Sequence, residues 1–191
     1  MIIHELRWYR GDLPRPLIRV FLCYGGQMRK FEKISFEEFK KSVCDDIKLY
    51  ENFNLPKRQT KYSAGYDFES IIEYTLKPGE TVKIPLGIKV CMNEDEMLML
   101  LVRSSMGFKN NVRMCNQVGI IESDYYNNES NEGHMFIKLH NHGKEDFQIK
   151  KGDRICQGIF TKFLTVDNEE SIENKRTGGM GSTNKGEKNG K

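Results

Sequence analysis

The chain has 191 residues, and 30 Lys and Arg stand against 27 Asp and Glu, so a formal charge of +3 supplies no broad field for holding nucleic acid or an anionic membrane. That length suits one hydrophobic core with room for extensions, without a structural metal or disulfide staples. Its five cysteines are odd in number, scattered and without a C-x-x-C pair, which points to inert thiols in a reducing, cytoplasmic setting.

Residues 1–10 carry Arg7, Trp8 and Arg10 in place of an apolar signal region, and no stretch approaches the length of a membrane span. An apolar, strand-like run follows at residues 18–24. Ser35 and Glu38 have the spacing of a helix capping box, and Phe36, Phe39 and Val43 share one face of the short helix it predicts. Residues 1–45 therefore read as a short α/β N-terminal extension with no legible chemistry.

From about Ile47 the apolar period becomes that of strands, broken at short intervals by turn chemistry, which predicts an all-β domain over residues 46–172. Lys77-Pro78-Gly79-Glu80 has the Pro-Gly order of a type II turn. It leads into an alternation through Val82, Ile84, Leu86, Ile88 and Val90, where Pro85 and Gly87 mark an edge or bulged strand. Residues 97–102 are continuously apolar and predict a strand buried on both faces. Met135, Ile137 and Leu139 alternate again. After a turn at Lys150-Lys151-Gly152-Asp153, so do Ile155, Gln157, Ile159 and Thr161, which puts Gln157 inward beside Ile155. His140 and His142 share a strand face, but no second ligand pair lies nearby and no metal site is expected there. Residues 173–191 are polar and glycine-rich, with no face to bury, and read as a flexible C-terminal arm.

Five segments carry groups suited to chemistry. Ser63-Ala64-Gly65-Tyr66-Asp67 leads a turn into a strand. Arg103-Ser104-Ser105-Met106-Gly107 places a cation and two hydroxyls after the most apolar strand, where they can converge on phosphate oxygens. Asn116, Gly119, Ile120, Ile121, Glu122 and Tyr125 belong to an apolar strand that ends in carboxylates and an aromatic, a rigid mount for a general base. Gly152-Asp153-Arg154-Ile155-Cys156-Gln157 is a turn feeding a strand. Residues 176–183, from Arg176 through Met180, resemble a phosphate-cradling loop in their glycines but lack the lysine and strand of a P-loop.

In this order the segments resemble the trimeric deoxyuridine triphosphatases (dUTPases) over about residues 54–184. The resemblance implies a jelly-roll-like β-barrel and hydrolysis of dUTP to dUMP and pyrophosphate. It also implies a homotrimer with shared active sites, each covered by a neighbour's arm. Carried over by position, Asn116 and the backbone of Gly119, Ile120 and Ile121 would read the uracil, and Tyr125 would lie against the deoxyribose. Arg103, Ser104, Ser105, Gln157 and Arg176 would hold the phosphates, with Asp67 and Arg154 in support. Glu122 would take the proton from the attacking water. Magnesium would arrive on the triphosphate, with no protein ligand set expected.

Two positions depart from the family pattern. Glu122 stands where the family has Asp and reaches one methylene further, and misplacement by about an ångström costs on the order of a hundredfold in rate. Met180 stands where the family has a Phe that stacks on the uracil, which predicts weaker closure of the arm. Residues 126–133 also replace the family's tight turn with an inserted loop. These departures leave a second expectation, a dUTP-binding regulatory protein with little hydrolysis. A dCTP deaminase would want a different base-reading segment.

Overall fold

The structure, a computed structural model, describes residues 29–171 and residue 178. The run at 18–24, Arg176, Met180 and the rest of the arm lie outside the described residues. Among the described residues eleven strands and three α-helices follow one another in chain order. The strands are β1 (Lys30–Lys33), β2 (Tyr66–Glu69), β3 (Tyr74–Leu76), β4 (Thr81–Pro85), β5 (Ile88–Cys91), β6 (Glu96–Val102), β7 (Val112–Met114), β8 (Gly119–Glu122), β9 (Phe136–Asn141), β10 (Phe147–Ile149) and β11 (Arg154–Lys162). The helices are α1 (Phe36–Ser42), α2 (Ile47–Asn52) and α3 (Ser104–Asn110).

All pairings between these strands are antiparallel, in four ladders: β2-β11-β6-β8, β4-β9-β7, β1-β5 and β10-β3. The architecture is all-β, as expected, though the ladders do not close into one continuous barrel. Between the sheets lies a core that includes Phe68, Leu98, Leu100, Met135, Ile137 and Leu139. Both expected turns form. Gly79 takes φ +76 with Glu80 N–H donating to Lys77 O at 3.0 Å, and Gly152 takes φ +85 with Asp153 N–H donating to Lys150 O at 3.0 Å.

The alternation through residues 82–90 is divided between two ladders, because the chain breaks at Gly87. Its φ of +68 belongs to the left-handed region, and a Cβ there would stand 2.9 Å from the ring of Phe53. β4 then pairs with β9, and β5 with β1.

Residues 97–102 form a strand, but not one buried on both faces. Leu98 and Leu100 are buried, whereas Met97, Met99 and Leu101 are only half-buried. In the four-stranded sheet the register aligns Asp67, Gln157 and Leu101 in one row, Ile159, Met99 and Ile120 in the next, and Thr161, Met97 and Glu122 in the third. Cross-strand partners share a face, so these rows make up the outer surface, apolar in the middle and polar at both ends.

The inward placing of Gln157 is also corrected. A bulge between Arg154 and Cys156 in the pairing with β2 adds a residue, so Ile155 and Cys156 are both buried and Gln157 falls on the outer face.

α1 forms where the capping box predicts it. Ser35 is its N-cap, the Ser35 hydroxyl accepts from Glu38 N–H at 3.1 Å, and Phe39 is buried with Phe36 and Val43 beside it. Asp46 caps α2 in the same way by accepting from Leu49 N–H at 3.0 Å. The two helices share a small core of Ile34, Phe39 and Ile71, in which the rings of Phe39 and Phe53 stack at 5.7 Å. β1 belongs to the main core as well, since Phe31 packs edge-on to Tyr66 and Phe68.

Candidate active site

The sheet gathers the predicted phosphate-side residues at one end. Asp67 on β2 is 8 % exposed and faces two guanidinium groups: Arg103 Nε at 3.2 Å, from the end of β6, and Arg154 Nη1 at 3.5 Å, from the start of β11. A nearly buried carboxylate attracts both cations and keeps the two guanidinium groups close together at this end of the sheet. Beneath it, burial pushes the Cys156 thiol up out of reach of ionisation, and the Asp67 carboxylate adds to the effect.

Gln157 lies in register with both Asp67 and Leu101. Its amide passes over Gly65, where the Oε1 atom would be 2.5 Å from any Cβ. Glycine is required there for close approach, a signal legible in the Ala-Gly-Tyr-Asp motif but not read from it. Ser104 and Ser105 are exposed in the first turn of α3, after Arg103 as N-cap, where backbone N–H groups have no partner within the helix.

The segment expected to read the base stands apart from this cluster. Asn116 lies in the β7–β8 turn, where Gln117 takes φ +59 and Val118 N–H donates to Asn116 O at 2.6 Å. The Asn116 amide nitrogen hangs 3.7 Å from the position a Gly119 Cβ would take. Along β8, Gly119 is buried, Ile120 exposed and Ile121 half-buried. Glu122 ends the strand as an exposed carboxylate and caps the single 3₁₀ turn Ser123–Tyr125. Tyr125 is 5 % exposed, and its hydroxyl donates to His134 O at 2.9 Å while accepting from the Asn131 amide at 2.8 Å.

Register gives the distance between the two groups. Gly119 sits opposite Leu100 and Glu122 opposite Met97. Arg103 is six positions beyond Met97, about 20 Å along an extended strand. The order from the arginine end is Arg103, then Gly119, then Glu122.

Among the described residues no group of three or more His, Cys, Asp or Glu could hold a metal ion. The phosphate-side donors are guanidinium, hydroxyl and amide groups, and Asp67 is engaged by two arginines. This donor set suits anionic oxygens and not a metal ion. Also among the described residues, no helix is long and apolar enough to cross a membrane.

The dUTPase family model matches residues 51–185. The deoxyuridine 5'-triphosphate nucleotidohydrolase of Lactococcus lactis subsp. lactis is 46 % identical over 140 residues, covering 72 % of this chain and 93 % of the relative. The crystal structure of dUTPase from Streptococcus mutans superposes with a TM-score of 0.59 at 36 % identity, covering 72 % of this chain and 98 % of that one. A mutant dUTPase from phage phi11 of S. aureus, described as coordinating a structural Mg(II) ion, shares the fold at a TM-score of 0.58 and 20 % identity, covering 77 % of this chain and 97 % of that one. With its signature segments in order, its fold matched and most of its length aligned, the chain belongs to the dUTPase family.

Proposed function

We propose that this chain hydrolyses dUTP to dUMP and pyrophosphate as a homotrimer in which each site draws on more than one copy. The observation that carries the reading is the order of groups along β6 and β8. A base has to sit within one hydrogen bond of the water it activates, and that water in line with the α-phosphorus. With uracil at Asn116 and Gly119, the sugar and α-phosphate pass toward Glu122, and the remaining phosphates run on, away from the same chain's Arg103. The arginine, hydroxyl and amide donors must therefore come from a neighbour. The outer face built on Met97, Met99, Leu101, Ile120 and Ile159 supports this, since an apolar sheet face of that kind calls for a cover.

In this reading Asn116 and the backbone of Gly119, Ile120 and Ile121 bind the uracil edge, and Tyr125 walls off the sugar where a 2'-hydroxyl would project. Glu122 removes a proton from the water that attacks the α-phosphorus. A neighbour's Arg103, Ser104, Ser105 and Gln157 stabilise charge moving onto the departing pyrophosphate, with Asp67 and Arg154 holding the arginine side in place. Arg176 and Met180 of the arm complete the cover. Magnesium supplies further neutralisation of the phosphate oxygens and needs no side chain of its own. We keep the division into an extension (1–45), a catalytic domain (46–172) and an arm (173–191) as the functional organisation. The free thiols of Cys44, Cys91, Cys115 and Cys156 suit the cytoplasm.

A dUTP-binding regulator would keep the same binding residues, but the relatives named nucleotidohydrolases favour turnover. The test is pyrophosphate release from dUTP, UTP, dTTP and dCTP, with and without magnesium, beside sedimentation of the protein. Cleavage of dUTP alone by a trimer is expected. Binding without turnover would leave the regulator, ammonia release would mark a deaminase, and a monomer that retains full activity would sink the shared site.

A further inference from the structure

The loop at residues 126–133, which follows Tyr125, is fastened to a part of the chain that precedes the family's shared region. Glu132 Oε2 accepts from the Ser35 backbone N–H at 2.9 Å, and Glu132 Oε1 accepts from the Ser35 hydroxyl. A helix capping box normally takes that first bond from a glutamate inside the helix; here a carboxylate 97 residues away supplies it. The Tyr126 hydroxyl donates to Glu32 of β1, and Lys41 of α1 donates to Ser130 O at 3.4 Å. Lys89 adds a bond to Asn127 Oδ1 at 2.7 Å and stands 3.3 Å from Glu132.

Burial opposes ionisation of Glu132, yet Ser35 and Lys89 hold its carboxyl below the ordinary glutamate range, so at neutral pH the fastening is charged. Inside the loop the connection continues to the tyrosine. Asn128 donates to Tyr125 O at 2.8 Å, and Asn131 donates to the Tyr125 hydroxyl at 2.8 Å. Gly133, at φ +83, leaves no space for a side chain, because a Cβ would lie 2.6 Å from Tyr125 O. Each link from Ser35 to Tyr125 is thus a hydrogen bond or a close backbone contact.

We propose that β1 and α1 act through Glu132 to fix the position of Tyr125, making Ser35 and Glu132 positioning residues for discrimination between a deoxyribose and a ribose. The inference rests on the proposed role of Tyr125 against the sugar. Excluding one added hydroxyl requires a wall that does not yield, and an inserted loop alone is a poor wall. Anchoring it to a capped helix end makes it rigid.

Amide exchange across residues 123–134 and the dUTP-to-UTP ratio test this, in the wild type, Glu132→Ala, Tyr126→Phe and the Ser35→Ala/Glu132→Ala double variant. With the charged bonds removed, exchange in that segment should rise about tenfold or more in Glu132→Ala. KM for dUTP should rise while kcat stays within about twofold, and the preference over UTP should fall. Tyr126→Phe removes one hydroxyl and should shift the same readouts in the same direction by less. In local exchange and in the dUTP-to-UTP ratio the double variant should do no more than Glu132→Ala, because both changes break the same connection, while loss of the Ser35 cap on α1 lowers only the melting temperature. A lower melting temperature with unchanged local exchange and an unchanged dUTP-to-UTP ratio would overturn the proposal. Should the wild type fail to turn over dUTP, the functional reading fails, and local exchange together with the ratio of dUTP to UTP binding still decides the positioning role.

Discussion

Glu122 closes β8 and Arg103 directly follows the neighbouring β6, yet the two stand at opposite ends of that strand pair, with Glu122 paired to Met97 and Arg103 following Val102. The proposed phosphate clamp and the proposed general base are thus held apart within a single chain.

The role of Glu122 predicts opposite outcomes for its two conservative replacements. Glu122→Gln should abolish pyrophosphate release, a loss of about 10²–10⁴-fold, while dUTP still binds. Glu122→Asp should speed turnover, because the shorter side chain returns the carboxylate to the position the family uses. Steady-state rates with calorimetric binding separate the two.

Gly65→Ala should damage the site with little effect on folding. The new methyl group would meet Gln157 Oε1, the far end of a flexible side chain, so the amide swings away at small cost to the core. We expect KM for dUTP to rise about tenfold, the worth of a hydrogen bond to a charged group, with a melting temperature close to wild type.

Met99→Lys places a charge in the apolar middle of the outer face, where an uncompensated buried cation costs several kcal/mol on assembly. Sedimentation should show monomers at concentrations where the wild type is trimeric, and activity should fall to background with them. A monomeric Met99→Lys protein with wild-type turnover would refute the shared site.

Stability should fall with acid through His134. The ring is fully buried and accepts from Gly87 N–H at Nε2, 2.9 Å away, which leaves Nδ1–H for the Ser42 hydroxyl at 3.1 Å. Burial, with the charge of Lys83 adding to it, pushes its pKa down to about 4, outweighing the opposing pull of Glu132. Because this is depressed below the ordinary value near 6.5, the unfolded chain binds the proton first. The contribution is complete above that ordinary value and is lost as pH falls toward 4, on the order of 3 kcal/mol in all. Urea unfolding at neutral and at acid pH should show this loss, and His134→Gln should remove that part of the slope.

The sequence revealed those parts of the fold whose causes are local. The turns at Lys77–Glu80 and Lys150–Asp153 and the capped start of α1 form where short-range chemistry predicts them, and the four signature segments among the described residues occupy strand ends and turns. What was hidden depends on distant partners. Gly87 divides a seemingly single alternation because Phe53 and His134 meet it from elsewhere in the chain. The bulge in β11 appears only in its pairing with β2, and it is what moves Gln157 to the outer face. The grip of Ser35 on Glu132 joins two segments that are separately unremarkable polar turns.

The alternation along β6 makes one seven-residue strand report on two equilibria. Leu98 and Leu100 point into the fold, so truncating either should lower the melting temperature by an amount that does not change with protein concentration. Met97, Met99 and Leu101 lie on the outer face proposed to meet a second copy, so changes there should instead alter how activity falls on dilution. Neighbouring letters of the same word can therefore be edited to weaken the subunit or to weaken the assembly, each with little effect on the other.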